Sequence, residues 1–216
     1  MKKIQDIKIQ SVLDRMHKEA NSQGLTLIKG LSKGIFRKLK PEDMKDAYIA
    51  ISKSQGEWLY NLLLEKQAKH IVEFGTSFGI STLYLGAAAK ANHGKVITTE
   101  LLPEKAKVAL HNFKEAGLEE WIELRIGDAI ETLKNIDNEI DFLLLDGLND
   151  LYLPLLKVLE PKFKKGTLIY TDNTSFKSAK PFLEYLKVNA QKYRSVHLKD
   201  HKGGSELSEY LLYNKS

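Results

Sequence analysis

Short apolar runs alternate with amphipathic stretches of helix length, and most of the runs end in small or acidic residues, which places this sequence in the α/β class. The expected architecture is a doubly wound sheet of seven mostly parallel strands with helices on both faces, preceded by a helical extension. The 216 residues suit a single domain over 1–216, with an extension and lid over 1–66 and an α/β core over 67–216.

In the extension, Ile4, Ile7, Val12, Leu13, Met16 and Ala20 approximate a helical stripe that closes at Asn21-Ser22-Gln23-Gly24. A looser stretch with Gly30 and Gly34 follows. Pro41-Glu42-Asp43 then opens a second helical region whose buried face is expected to carry Tyr48, Ile51, Trp58, Leu59, Leu62 and Leu63. From residue 70 the pattern predicts strands over 70–74, 95–99, 122–126, 142–145 and 167–171. Phe142-Leu143-Leu144-Leu145 is apolar on both faces, as the centre of a covered parallel sheet must be. Crossover helices are expected over 81–91, 103–116, 129–134 and 152–159. A helix over 181–193 and strands over 195–198 and 210–213 complete a Rossmann-like sheet with an antiparallel last pair.

Lysine and arginine number 33 against 28 aspartates and glutamates, a net charge of +5. Arginine, the better fork for phosphates and base edges, supplies only Arg15, Arg37, Arg125 and Arg194, so a solvated lysine surface is favoured over a nucleic-acid partner. No window approaches the roughly 18 apolar residues of a membrane span. The charged start Met1-Lys2-Lys3-Ile4-Gln5-Asp6 does not form a signal peptide, and cysteine is absent, so the cytoplasm is expected.

Ligands of open α/β sheets sit beyond the carboxyl ends of the strands, where this sequence is most distinctive. The first strand runs into Glu73-Phe74-Gly75-Thr76-Ser77-Phe78-Gly79-Ile80-Ser81, a glycine turn entering a helix with a spacing unlike GxGxxG. The second ends in Glu100, a carboxylate able to accept ribose hydroxyls, as an acidic residue about 20 positions downstream does in dinucleotide sites. The third ends in Gly127-Asp128-Ala129, a polar group beside a small residue where an adenine ring could lie. Together these predict a nucleoside-type ligand. Asp146 and Asp172-Asn173 end the fourth and fifth strands, and two carboxylates with an amide suit Mg²⁺; the alternative is that they only cap turns or contact the nucleoside ligand. His70, His93 and His111 are expected on helix or loop surfaces, and no histidine has metal-motif spacing. Gly203-Gly204-Ser205-Glu206 reads as a structural turn.

On these residues, with Asp141-Phe142-Leu143-Leu144-Leu145-Asp146, the chain from Ser54 onward resembles the cation-dependent O-methyltransferases of the catechol and caffeoyl-CoA type and their small bacterial relatives. The resemblance implies a class I enzyme that takes its methyl group from S-adenosylmethionine (AdoMet). It implies that Glu73, Gly75, Ser77 and Ser81 surround the methionine part, Glu100 the ribose, and Asp128 with Ala129 the adenine. Asp146 would adjoin the donor, and Asp146, Asp172 and Asn173 would hold the metal. Ser77, where many class I enzymes have glycine, fits the same branch.

One position departs from the family. Three residues after the fourth-strand aspartate the family carries a lysine thought to assist deprotonation of the acceptor; this chain reads Asp146-Gly147-Leu148-Asn149. Tyr152 still falls where the family often has tyrosine, so Asn149 is a replacement and not a slip of alignment. Asn149 cannot act as a base, and no catalytic residue is assigned. A bound cation could still lower the pKa of a hydroxyl, which keeps phenols and catechols as expected acceptors. Phe176 is expected in the acceptor wall and the segment 24–41 as a lid. The expected partner is a small-molecule hydroxyl acceptor, with tRNA (methylated on a hydroxyuridine) and a second copy of the chain as further partners, and no membrane. A catalytically silent AdoMet-binding protein is the remaining alternative.

Overall fold

The computed structural model describes residues 2–22, 51–198 and 203–213. The expected lid over 24–41, the helix opening at Pro41 and Tyr48 lie outside the described residues. Helix α1 (Ile7–Ser22) starts behind Asp6, whose Oδ1 accepts the N–H groups of Lys8 and Ile9 at 3.0 and 3.5 Å. It buries Ile9, Val12, Leu13 and Met16, a stripe with i, i+3, i+4, i+7 spacing. Ile7 is out of phase with that stripe and 79% exposed, which corrects its expected place on the buried face. Helix α2 (Lys53–Glu65) opens with a capping box. Ser52 Oγ accepts the Gln55 N–H, and Gln55 Oε1 accepts the Ser52 N–H. Leu59 and Leu63 are buried, while Trp58 and Leu62 are half-buried.

The core continues as β1 (His70–Phe74), α3 (Ile80–Ala91), β2 (Lys95–Glu100), α4 (Pro103–Glu115), β3 (Ile122–Ile126), α5 (Ala129–Leu133) and β4 (Ile140–Leu145). It ends as α6 (Tyr152–Leu159), β5 (Phe163–Thr171), α7 (Lys180–Val188), β6 (Tyr193–Leu198) and β7 (Ser205–Tyr210). The seven strands lie in the order β3-β2-β1-β4-β5-β7-β6; β1 to β5 are parallel, and β7 is antiparallel to both neighbours. Alternate residues of β4 explain its unbroken hydrophobicity. Phe142 and Leu144 enter one core with α1, α2 and α3, while Leu143 and Leu145 enter a second with α6 and α7.

The tail departs from expectation twice. Helix α7 ends at Val188, where the Asn189 side chain donates to the Tyr185 carbonyl, and Tyr193 already begins β6. The last strand covers Ser205–Tyr210 and not 210–213. Its residues, Ser-Glu-Leu-Ser-Glu-Tyr, carry no apolar run, because its buried serines are satisfied by side chains of adjoining segments: Ser208 by Ser195 and Ser205 by Asp172. No helix of the described residues is long and apolar enough to cross a membrane.

The strand order reverses between β1 and β4, and register aligns Phe74 with Thr99 and Leu145, and Leu145 with Thr171. The residues that follow these strands therefore emerge at one level, on either side of the switch point.

Candidate functional site

The turn after β1 has a shape that only particular residues allow. Gly75 has φ +106°, and a Cβ there would stand 2.7 Å from the Asp146 carbonyl oxygen, so conformation and space both require glycine. Ser77 is left-handed as well, at φ +49°. Beneath the turn lies Glu73, wholly buried, its carboxylate accepting hydrogen bonds from the hydroxyls of Ser81, Thr82 and Thr98 at 2.6, 2.5 and 2.6 Å. Burial pushes the Glu73 carboxyl above its ordinary value, with the three hydroxyls opposing. Glu73 and Ser81 are thus turned toward each other behind the turn, while Gly75 lines the open cleft.

Across that cleft, Glu100 is fixed by two backbone donors, Ser77 N–H to Oε2 at 2.8 Å and Leu102 N–H to Oε1 at 2.9 Å. Each carboxylate oxygen retains capacity for a further donor such as a hydroxyl. Asp128 caps α5, its Oδ1 accepting the N–H groups of Ile130 and Glu131. Gly75, Glu100, Asp128 and Ala129 share the cleft, and Ser77 joins it through Glu100. Leu101, Leu148 and Leu151 supply apolar walls that sequence reasoning missed. Their signal was a leucine shortly after a strand end: Leu101 follows β2 directly and Leu148 lies three residues past β4, and both are exposed.

On the β4–β5 side, the Asp146 N–H donates to Phe74 O and the Asp172 N–H to Leu145 O, both at 3.0 Å. Asn173, left-handed at φ +58°, donates through Nδ2 to Asp146 Oδ1 at 3.2 Å. Burial, then the charges of Asp172 and Glu73, push the Asp146 carboxyl well above the ordinary carboxylate range, against the Asn173 bond. Asp146, Asp172 and Asn173 are therefore brought together as predicted neighbours. Among the described residues no three His, Asp or Glu side chains form a metal-binding cluster; this set is two carboxylates and an amide. The hydroxyls of Thr171 and Thr174, which flank Asp172 and Asn173, are buried without a hydrogen-bond partner.

Asn149 is committed elsewhere than to a base's role: its Nδ2 donates to the Asn173 carbonyl at 3.1 Å. The Tyr152 hydroxyl donates to the carbonyls of Gly147 and Asp172, both at 3.2 Å. The glycine turn before β7, expected to be a plain connection, packs on this group. Gly203 and Gly204 carbonyls accept the N–H groups of Ser175 and Thr174, and Ser205 Oγ donates to Asp172 Oδ1 at 2.8 Å. His70 is half-buried at the start of β1, not on a surface helix or loop.

A family model described as O-methyltransferase matches residues 20–196. The chain is 35% identical over 129 residues to a catechol O-methyltransferase of Niastella koreensis, covering 58% of each chain. To the catechol O-methyltransferase of Mycobacterium tuberculosis it is 31% identical over 126 residues, 58% of this chain and 57% of that one. The matches thus span less than two thirds of these curated relatives. An O-methyltransferase from Bacillus cereus, solved in complex with SAH, has a TM-score of 0.69 over 86% of this chain and 90% of that one, at 21% identity, a likeness of fold.

Proposed function

The chain belongs to the O-methyltransferase family, and from that premise we propose that it moves the methyl group of AdoMet to a hydroxyl of a small phenolic or catechol-like molecule. The observation that carries this reading is a juxtaposition at the switch point: a glycine-floored cleft holding Glu100 and Asp128 beside the paired carboxylates Asp146 and Asp172.

In this reading the Gly75–Ser77 turn, held from behind by Glu73 and Ser81, receives the methionine part. Glu100 accepts the ribose hydroxyls, and Asp128 and Ala129 flank the adenine. Asp146, Asp172 and Asn173 fit Mg²⁺ by their chemistry: all can present oxygen, and burial together with the neighbouring charge of Asp172 raises the Asp146 carboxyl, a crowding that a cation would relieve. When bound, AdoMet supplies an activated methyl and Mg²⁺ supplies charge that stabilises an ionised acceptor hydroxyl. The chain's own part is orientation and exclusion of water. Asn149 and Tyr152 hold the carbonyls of Asn173, Gly147 and Asp172, and neither offers a base. An acceptor hydroxyl acidic enough to ionise beside a cation therefore fits these two residues best. Phe176, 56% exposed just beyond Asn173, serves as its wall. The whole of 1–216 acts as one domain.

A tRNA acceptor is less well supported. The cleft is lined by two carboxylates and no lysine or arginine among the described residues. Lys66, Lys69, Lys164 and Lys165 gather instead around a separate hollow at the opposite ends of the strands.

The test is incubation with methyl-labelled AdoMet and a panel of catechols, simple phenols and bulk tRNA, with magnesium or with a chelator. Label in a catechol methyl ether is the expected result. Label in tRNA alone, or a protein that binds no AdoMet in calorimetry, overturns the reading.

A further inference from the structure

We propose that Ser205, backed by Tyr170 and Gln55, is a positioning residue that fixes the Asp172 carboxylate for a divalent cation and ties it to the first turn of α2. This rests on the cation reading of Asp146, Asp172 and Asn173.

Three hydrogen bonds join four residues on three segments of the chain: α2, the end of β5 and the start of β7. Gln55 Nε2 donates to the Tyr170 hydroxyl at 3.2 Å, Tyr170 donates to Ser205 Oγ at 3.0 Å, and Ser205 donates to Asp172 Oδ1 at 2.8 Å. All four residues are buried: Gln55 is 5% exposed, Tyr170 and Ser205 0%, and Asp172 6%. The direction of the chain is fixed at both ends. Ser205 donates through Oγ to the carboxylate, and Gln55 reaches Tyr170 through Nε2, an amide nitrogen that only donates, while its Oε1 accepts the Ser52 N–H. Along this chain each hydroxyl accepts from one neighbour and donates to the next, an arrangement in which a buried polar network is stiff.

Packing alone does not call for these polar groups. Tyr170 already fills its place with its ring against Trp58, at 5.7 Å between centroids, and phenylalanine would fill it equally. Alanine would do for a wholly buried Ser205 at the start of β7. What the hydroxyls add is a directed donor on one oxygen of a carboxylate that is proposed to coordinate metal. Hydrogen-bond partners of metal ligands orient them, and losing one costs about 10–100-fold in metal affinity. Because Gln55 also closes the capping box of α2, the orientation of Asp172 is coupled to the way that helix begins.

The test compares the full-length protein with Ser205→Ala and Tyr170→Phe, measuring Mn²⁺ affinity by electron paramagnetic resonance and AdoMet affinity by calorimetry. Ser205→Ala is expected to weaken Mn²⁺ binding about tenfold. Tyr170→Phe, which keeps the ring and leaves Ser205 without its donor, is expected to weaken it about threefold, and the double variant no more than Ser205→Ala, because Tyr170 acts through Ser205. AdoMet affinity should stay within about twofold throughout, a split that a merely structural loss does not produce. Wild-type Mn²⁺ affinity in both variants, or a parallel fall of Mn²⁺ and AdoMet affinity, overturns the positioning role alone. A wild-type protein that binds AdoMet but no Mn²⁺ overturns the cation reading and this role with it.

Discussion

Gly75→Ala tests the wall between the donor cleft and the carboxylate pair. The substitution meets two costs. At φ +106° an alanine lies outside its ordinary conformations, worth about 1–3 kcal/mol. Its Cβ would also stand 2.7 Å from the Asp146 carbonyl oxygen, about 0.7 Å inside the 3.4 Å at which ordinary contact begins. That oxygen is backbone and cannot swing away, so the ends of β1 and β4 must part where the Asp146 N–H bonds Phe74 O at 3.0 Å. Strain and the weakened bond together put the loss of stability at roughly 2–4 kcal/mol. The turn proposed to receive AdoMet moves with them, so affinity should fall at least about tenfold. Gly117→Ala is the control: φ is +65°, nothing lies within 4 Å, and it is far from the cleft, so it bears the conformational cost alone, about 1–2 kcal/mol. Urea unfolding gives the stabilities, and calorimetry at a temperature where all variants are folded gives the affinities. If Gly75→Ala loses no more stability than Gly117→Ala and binds AdoMet as the wild type does, the steric argument is wrong.

Glu100→Ala should weaken AdoMet by about 2–3 kcal/mol, the worth of a charge-assisted hydrogen-bond pair, and unaltered affinity in calorimetry would remove Glu100 from the ribose position. Burial raises the Glu73 carboxyl above its ordinary value of 4.5, so the folded state takes up that proton more readily than the unfolded chain. Its contribution is full below pH 4.5 and is lost as pH rises through the raised folded value; Glu73→Gln should flatten this part of the stability profile, and parallel wild-type and variant curves would refute it. Asp146 slopes the profile in the same direction, and because the Glu73 charge is one cause of its shift, the difference between the curves also carries the part of the Asp146 shift that Glu73 causes, with the same sign. A chelator should abolish methyl transfer and leave AdoMet affinity within about twofold, with activity returning on added magnesium. Asn149→Lys, which restores the residue the family carries, should raise turnover most at low pH, where unassisted ionisation of the acceptor is least complete; a gain independent of pH would show that the lysine does not act as a base.

Local readings of the sequence succeeded where a residue's position is set by its own strand. Gly75, Glu100 and Asp128 stand at the ends of three apolar runs and line one cleft, and the two-faced burial of Phe142-Leu143-Leu144-Leu145 made the centre of the sheet legible. The support of the carboxylate pair is different in kind. Ser205 reaches Asp172 from 33 residues away and Gln55 reaches Tyr170 from 115, through ordinary polar side chains in a strand with no apolar run. Nothing in composition or period marks such partners, because their value lies in burial and direction that only the assembled sheet confers. The same holds for Asn149. In the sequence it registers as the loss of a lysine; in the fold its amide holds the carbonyl of Asn173, whose left-handed backbone turns its side chain toward Asp146. Where the resemblance leads one to expect a lysine, Asn149 therefore supplies a tether on a proposed cation ligand. On the proposed reading, a site built this way would leave acceptor ionisation to the cation's charge and devote the neighbouring side chains to holding the ligands still.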